Sequence, residues 1–418
     1  MKIEYYQAYK DSGIEWLGDV PEHWSIRKAK TLCSHIKDGT HGSFERVEIG
    51  YPLLSVRNIV NSKFLFLNDD SFISEEDYKK ISKSLKIKEG DLQLAIVGAT
   101  MGKVALVPAN MPEFVTQRSL ATLRPIIKIL TSKFFLYFAS CSYFQDTLWS
   151  NTSYSAQPGI YLNTLSNIDI LVPPLPEQKA IAHYLDTKTA QCDRKIDLLT
   201  QKATLYGNLK QSLINETVTR GLDKSVPMKD SGIEWIGEVP EHWSLSRIKN
   251  LTKTKSGTTP QSGLSQYYDN GTHFWVRTTD LNNNKLYSSE FKVTDLAREH
   301  YNLASIPIRS ILLAMYGGMG TIGKNAILQE EVTINQSVCA IFPNNKKFFS
   351  EYLWYYIQYF RPHWEIFADS ARKDPNINQE AIKRLWVTLP PLPEQKDIAH
   401  YLDTKTTQID QIIQTQKC

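Results

Sequence analysis

The sequence predicts an α+β protein: two globular domains separated by long antiparallel coiled-coil helices, the whole an internal pseudo-two-fold duplication. Three observations predict it. Residues 9–30 return as 228–249 with 15 of 22 positions identical, and residues 173–190 return as 390–407 with 16 of 18. The intervening segments 27–172 and 247–389 are similar in length but mostly dissimilar in sequence. A period near 218 residues is too long for a solenoid and marks a duplicated domain, for which a two-fold packing is natural.

The first repeated block, Lys10-Asp11-Ser12-Gly13-Ile14-Glu15-Trp16 through Val20-Pro21-Glu22-His23-Trp24, opens each copy. His23 and His242 stand in Pro-Glu-His-Trp turns, where a structural hydrogen bond is expected rather than catalysis. The divergent segment that follows carries weak echoes between copies. Leu92–Gly98 with Lys103 parallels Ile311–Gly317 with Lys324; Gln117 parallels Gln336, and Arg57 parallels Arg277. These echoes predict one fold carrying two different surfaces.

The second repeated block starts a helix, with Pro176 at the first position and Glu177 in the first turn. Ile181, Leu185, Cys192, Ile196, Leu199, Ala203 and Tyr206 follow at three- and four-residue steps, with Thr189 in the one gap, an a/d seam that fades near Gly221. About 43 helical residues would span roughly 65 Å, which calls for a partner helix. Ile398, Leu402, Ile409 and Ile413 continue the seam in the second copy, so the two helices are expected to pair antiparallel. By the repeat offset, about 22 residues mirroring 202–223 do not follow Cys418. The expected domains are 1–172, a helical spacer 173–223, 224–389, and a shortened helical region 390–418.

Composition limits the function classes. At 42% hydrophobic and 11% aromatic, the 418 residues can build real cores. No apolar run approaches the ~20 residues of a membrane span, and the N-terminus lacks the apolar region of a secretory signal. Five scattered cysteines with no CxxC pair argue against a disulfide scaffold or zinc site and fit a reducing cytoplasm. Charge sorts by segment: the divergent modules carry net +4 and +5, and the repeated connectors net −5. Basic variable modules suit a polyanion, and acidic connectors suit other proteins. Catalytic motifs are missing. Gly318 through Lys324 resembles a phosphate loop, but Asn325 replaces the required hydroxyl residue. There is no GxGxxG, no amino-methylation motif, no HExxH and no GxSxG, so neither a catalytic residue nor a metal site is expected.

The order of these motifs, KDSGIEW(L/I)G(D/E)VPEHW, a diverged module, then PPLPEQKxIAHYLD, all twice, resembles the DNA specificity subunits (HsdS) of type I restriction–modification systems. The resemblance covers essentially the whole chain. It implies that each divergent module is a target-recognition domain for one half-site of double-stranded DNA, and that the helices set the gap between half-sites, near one duplex turn of roughly 34 Å. It further implies two modification subunits carrying S-adenosylmethionine for adenine methylation, and restriction subunits using ATP and Mg. Ile181, Leu185, Ile196, Leu199, Ile398, Leu402, Ile409 and Ile413 would form the partner interface. A stand-alone DNA-binding regulator or decoy, or a coiled-coil scaffold, would be the alternatives.

Candidate DNA contacts follow from residue type. Lys37, Thr40, His41 and Ser43 form a glycine-bearing polar loop, and Lys255, Thr258 and Thr259 its counterpart, suited to phosphates. Arg57-Asn58 and Arg277-Thr278-Thr279 each follow an apolar strand-like run; arginine can pair with guanine and asparagine with adenine. Gln117, Arg118, Asn335 and Gln336 are candidates on the same grounds, Lys103 and Lys324 as phosphate contacts, and Tyr154, Gln157, Arg372, Lys373 and Asn376 as readers before each helix. Arg57→Ala and Arg277→Ala are each expected to relax one base pair by ~1–3 kcal/mol.

Overall fold

A computed structural model describes residues 6–14, 17–152, 158–317, 320–367 and 376–416. The chain divides into two compact units, Met1–Lys195 and Ile196–Cys418. The boundary falls inside a helix, so the expected spacer is shared between the units.

In the first unit, an antiparallel four-stranded sheet runs in the order Val104–Leu106, Leu92–Ala95, Leu120–Pro125, Cys33–Asp38. A smaller sheet joins Val115–Thr116 in parallel to Tyr51–Leu54, with Ser71–Ile73 antiparallel on its other side. Helix α1 (Ser132–Ser140) buries Phe134, Phe135, Leu136, Phe138 and Ala139 against the larger sheet's core. Strand Ser25–Lys28 pairs with Asp169–Val172, bringing the two ends of the module together. Helix α2 (Leu175–Arg220) follows at once.

The second unit repeats this plan. Its larger sheet has the order Thr254–Ser256, Val338–Ile341, Ile311–Ala314, Asn325–Leu328, Asn284–Leu286, and its smaller one places Thr333–Ile334 parallel to His273–Val276. Helix α3 (Ser350–Phe360) is nearly all buried, and Ser244–Arg247 pairs with Trp386–Leu389 before helix α4 (Leu392–Thr415).

The repeated residues turn out to be fasteners. In each unit the glutamate of the helix's first turn holds the Pro-Glu-His-Trp turn. Glu177 accepts from Trp24 Nε1 at 3.1 Å and meets His23 Nε2 at 2.8 Å; Glu394 does the same with Trp243 at 3.0 Å and His242 at 2.9 Å. The next residue caps the neighbouring helix: Gln178 Oε1 accepts the Thr131 N–H, and Gln395 Oε1 the Phe349 N–H, both at 2.8 Å. One turn or two later, Asp186 accepts from Tyr137 and Asp403 from Tyr355, both at 2.6 Å. The two histidines thus have the structural role their turns predicted.

The seam is divided between two jobs. Ile398 and Leu402 are fully buried in the second unit's own core with Tyr352, Tyr355 and Tyr356, and Ile409 is buried as well. Ile398 and Leu402, expected at a partner interface, are interior, because the aromatic face of α3 covers them. Ile181 packs on the first unit's core. Within the second unit, Lys210 of α2 meets Asp410 of α4 at 2.7 Å, and Gly221 beyond the end of α2 lies beside Glu394 at the start of α4, so the two helices run antiparallel there. Leu199, Ala203, Tyr206 and Leu213 are half-buried and Ile214 and Val218 fully buried, continuing the predicted stripe. The Val218 carbonyl accepts from Thr388 Oγ1 at 2.8 Å and from Tyr352 at 3.2 Å, which anchors the end of α2. Helix α2 stops at Arg220, and Gly221 takes φ +77°, a left-handed cap that suits glycine.

Candidate nucleic-acid interface

The candidate residues of each module gather where three backbone segments cross. In the first unit Gly39 N–H donates to Leu120 O (2.9 Å), Thr40 N–H to Thr116 O (2.8 Å) and Arg118 N–H to Thr40 O (3.1 Å). Gln117 N–H then donates to Leu54 O at 2.9 Å, which brings in the segment holding Arg57. In the second unit Gly257 N–H donates to Val338 O (3.3 Å), Thr258 N–H to Ile334 O (3.1 Å) and Asn335 N–H to Val276 O (3.0 Å). A β-carbon at Gly39 would collide with the Thr116 and Gln117 carbonyls, and one at Gly257 with those of Ile334 and Asn335. Only glycine admits so close a crossing.

A fourth segment borders the crossing. Ile96 N–H donates to Ser119 O and Met315 N–H to Ser337 O, leading into turns that end at Lys103 and Lys324. Ala95 N–H meets Lys103 O, and Ala314 N–H meets Lys324 O, so these two lysines are true counterparts on a strand–turn–strand. Lys103 is exposed and Lys324 half-buried. The segment before each repeated strand joins through Gly98 N–H to Pro158 O and Ile377 N–H to Met315 O. Asn376, half-buried, therefore adjoins the site. Tyr154, Gln157, Arg372 and Lys373 lie outside the described residues.

The remaining side chains vary in availability. His41, Ser43, Arg118, Lys255, Thr258, Thr279 and Gln336 are exposed; Lys37, Thr40, Gln117, Thr259, Thr278 and Asn335 are half-buried. His41 Nε2 is 2.6 Å from Asp38. Asn335 Oδ1 is taken by Ser337 N–H at 3.1 Å.

Two expectations change. The register pairs Leu54 with Thr116 and Val276 with Ile334. It therefore matches Ser55 with Arg277, Arg57 with Thr279, and Gln117 with Asn335 rather than Gln336. Each pair of strands ends in the same short 3-10 turn, Val56–Asn58 and Thr278–Asp280, whose third residue accepts the N–H of Ser55 or of Arg277, both at 2.9 Å. Asn58 is interior rather than facing a base. It is 1% exposed, and its Nδ2 donates to Leu65 O and to buried Asp70. Arg57 is tied into the same network, with Nη1 to Asp69 Oδ2 at 2.7 Å and Nη2 to Asp69 O and to Asp70 Oδ1. Its hydrogen bond holds the Asp69 carboxyl below the ordinary value.

Arg277 is treated differently. Its guanidinium carbon sits 3.2 Å from the centre of the Phe291 ring, and among the described residues it makes no ion pair. Sequence reasoning missed Phe291, Asp69, Asp70 and Asp280; each partner lies 3 to 14 residues from the arginine it meets with no motif to signal it. Among the described residues no cluster of three or more His, Cys, Asp or Glu could hold a metal, and no helix is long and apolar enough to cross a membrane.

The fold and its duplicated loop crossing define a two-module protein built on one repeated frame. The profile of the type I restriction modification DNA specificity domain matches residues 21–203 and again 240–417, so the chain belongs to that family. The putative type I restriction enzyme MjaX specificity subunit of Methanocaldococcus jannaschii is 24% identical over 98% of this chain and 93% of its own length. The EcoKI specificity subunit of Escherichia coli K12 is 23% identical over 94% and 86%. Among solved structures, a chain from a study of type I R-M complex assembly and conformational transition superposes with TM-score 0.72 at 16% identity, covering 95% of this chain and 94% of that one. The HsdS subunit of Thermoanaerobacter tengcongensis gives 0.55 at 16% identity, covering 95% and 92%. The chain is a non-catalytic DNA specificity subunit, and the chemistry belongs to its partner subunits.

Proposed function

We propose that the chain reads a split, asymmetric double-stranded DNA target, one module per half-site, and presents it to two methyltransferase subunits and to restriction subunits. S-adenosylmethionine, ATP and Mg would be held by those partners. The observation that carries this reading is the loop crossing built twice from the same backbone contacts, Gly39 with Thr116 and Gly257 with Ile334, and dressed with different polar side chains. A shared frame with unlike surfaces suits two unlike half-sites. The basic balance of both modules supports a polyanionic ligand.

The long helix supports the partner side. Ile196 is 61% exposed and Leu205 67%, and Leu198 and Leu209 are exposed too, while Leu185 and Leu199 are half-buried. Such apolar side chains on a helix away from a core suit a docked partner. Ile413 is half-buried and Ile181 partly so.

Co-expression with the modification subunit from the same genomic locus, followed by sequencing of host DNA for N6-methyladenine, tests the proposal. Two short half-sites with a fixed gap are expected. An assembled complex that leaves the DNA unmethylated would refute the active-system reading.

A further inference from the structure

We infer that the second module reads a guanine through Arg277, and that Phe291 is the positioning residue that presents it. The inference rests on the DNA-reading function proposed above and adds to it the base and the group that meets it.

Arg277 stands directly after the strand His273–Val276, whose last carbonyl binds Asn335 in the loop crossing. Its backbone is fixed: the N–H donates to Asp280 Oδ2 at 2.9 Å, and Asp280 is itself held by Ser289 Oγ at 3.0 Å. Its side chain is fixed too, lying over the Phe291 ring. Phe291 in turn is pinned, since its carbonyl accepts the Trp275 N–H at 2.9 Å and its ring packs on the cluster of Tyr267, Trp275 and Val293. The Nε of Arg277 is sealed from solvent without a partner, which leaves the two Nη groups as the donors able to meet a ligand.

A flat, immobilised guanidinium whose terminal donors have no partner among the described residues matches the O6 and N7 edge of guanine in the major groove, the commonest specific arginine contact. Stacking also means that little side-chain freedom is left to lose on binding. The first module cannot do the same at this place. Ser55 occupies the matching position, and the nearby Arg57 has both Nη groups engaged by Asp69 and Asp70. The two half-sites are therefore read by different chemistry at a common point of the frame.

The test uses the chain assembled with its modification subunits, scoring binding and methylation over a library in which every base pair of both half-sites is varied. The unaltered complex is expected to demand G·C at one position of one half-site. Arg277→Ala and Arg277→Lys should both lose that preference by roughly ten- to a hundredfold, with the other half-site untouched, because lysine keeps the charge but not the fork. Phe291→Leu should lose part of it at the same base pair, and Phe291→Tyr should keep it. If Arg277→Ala fails to fold, Arg277→Lys carries the test. An Arg277→Lys complex with unchanged base choice would overturn the assignment. So would an Arg277→Ala complex weakened on all sequences alike with a flatter salt dependence, which would make the residue a phosphate contact. An unaltered complex without any sequence preference would instead refute the DNA-reading function itself.

Discussion

The two modules share a backbone and differ in which way they turn their polar groups. At the turn after the parallel strand, the first module turns Asn58 and Asp70 inward and ties the exposed Arg57 to acidic partners. Asn58, Asp70 and Arg57 bind one another and the Leu65 carbonyl and Leu67 N–H, so the turn is a closed network. The second module keeps a smaller inner network, Asp280 with Ser289 and the Arg277 N–H, and leaves its arginine stacked on a ring with no acidic partner among the described residues. A recognition frame can thus change its ligand without moving its chain, by choosing which residues satisfy the interior and which are left for the target.

The strongest way to break this comparison is to attack the frame itself. Gly39→Ala or Gly257→Ala drives a methyl into backbone carbonyls that cannot yield, at about 3 kcal/mol. Each is expected to erase preference for one half-site only, measurable by thermal unfolding and by half-site selection. Loss of both half-sites from one substitution would mean that the modules do not act independently.

The inward network is next. Asp70 is only 2% exposed at its side chain and accepts from Asn58, Arg57 and the Leu67 N–H. Asp70→Ala strands those donors and should cost about 2 kcal/mol in urea unfolding. Asp280→Ala, in a more open turn, should cost less. Equal losses would remove the contrast between the two turns.

The clamp on the first helix sharpens the comparison by pH. Burial pushes the Glu177 carboxyl up, but hydrogen bonds from Tyr6, His23 and Trp24 outweigh it and hold the group below its ordinary value of 4.5. A carboxyl with a lowered folded value stabilises fully above its unfolded value, and that stability is lost as pH falls through the folded value. Stability from this clamp should therefore be constant above about pH 4.5 and fade below it. Glu177→Gln should cost about 1 kcal/mol at neutral pH and flatten the acid limb of the stability curve. The smallest effect is expected from Lys210→Ala, which removes a partly exposed pair with Asp410 and should cost about 0.5 kcal/mol in thermal unfolding.

Much of this was legible in the sequence. The duplication, the helix starts at Pro176 and Pro393, the glycine-bearing loops and the end of the long helix near Gly221 all stand in the structure, because they depend on local spacing and backbone permissiveness. The match of Arg57 with Arg277 did not hold, since register there is set by parallel strand pairing, which leaves no repeated residue to read. Asn58 looked like a base reader because its partner, Asp70, lies 12 residues away and carries no periodic signal. The interior fate of Ile398 and Leu402 was hidden for the opposite reason: one heptad stripe serves equally to pair helices and to cover a core, and only α3 decides between them.

The glutamate clamps have a consequence for how the chain is made. His23 and Glu177 are 154 residues apart, and His242 and Glu394 are 152 apart, with the module's last strand paired to its first between them. Each module is therefore a long loop tied at its mouth, and long-range closure of this kind is slow. During synthesis the Pro-Glu-His-Trp turn of a module waits, unfastened, until the first turn of the following helix has emerged. The same few residues that begin each helix thus also finish the domain before it, so the emergence of Glu177 and later of Glu394 marks the moments at which the two halves can close.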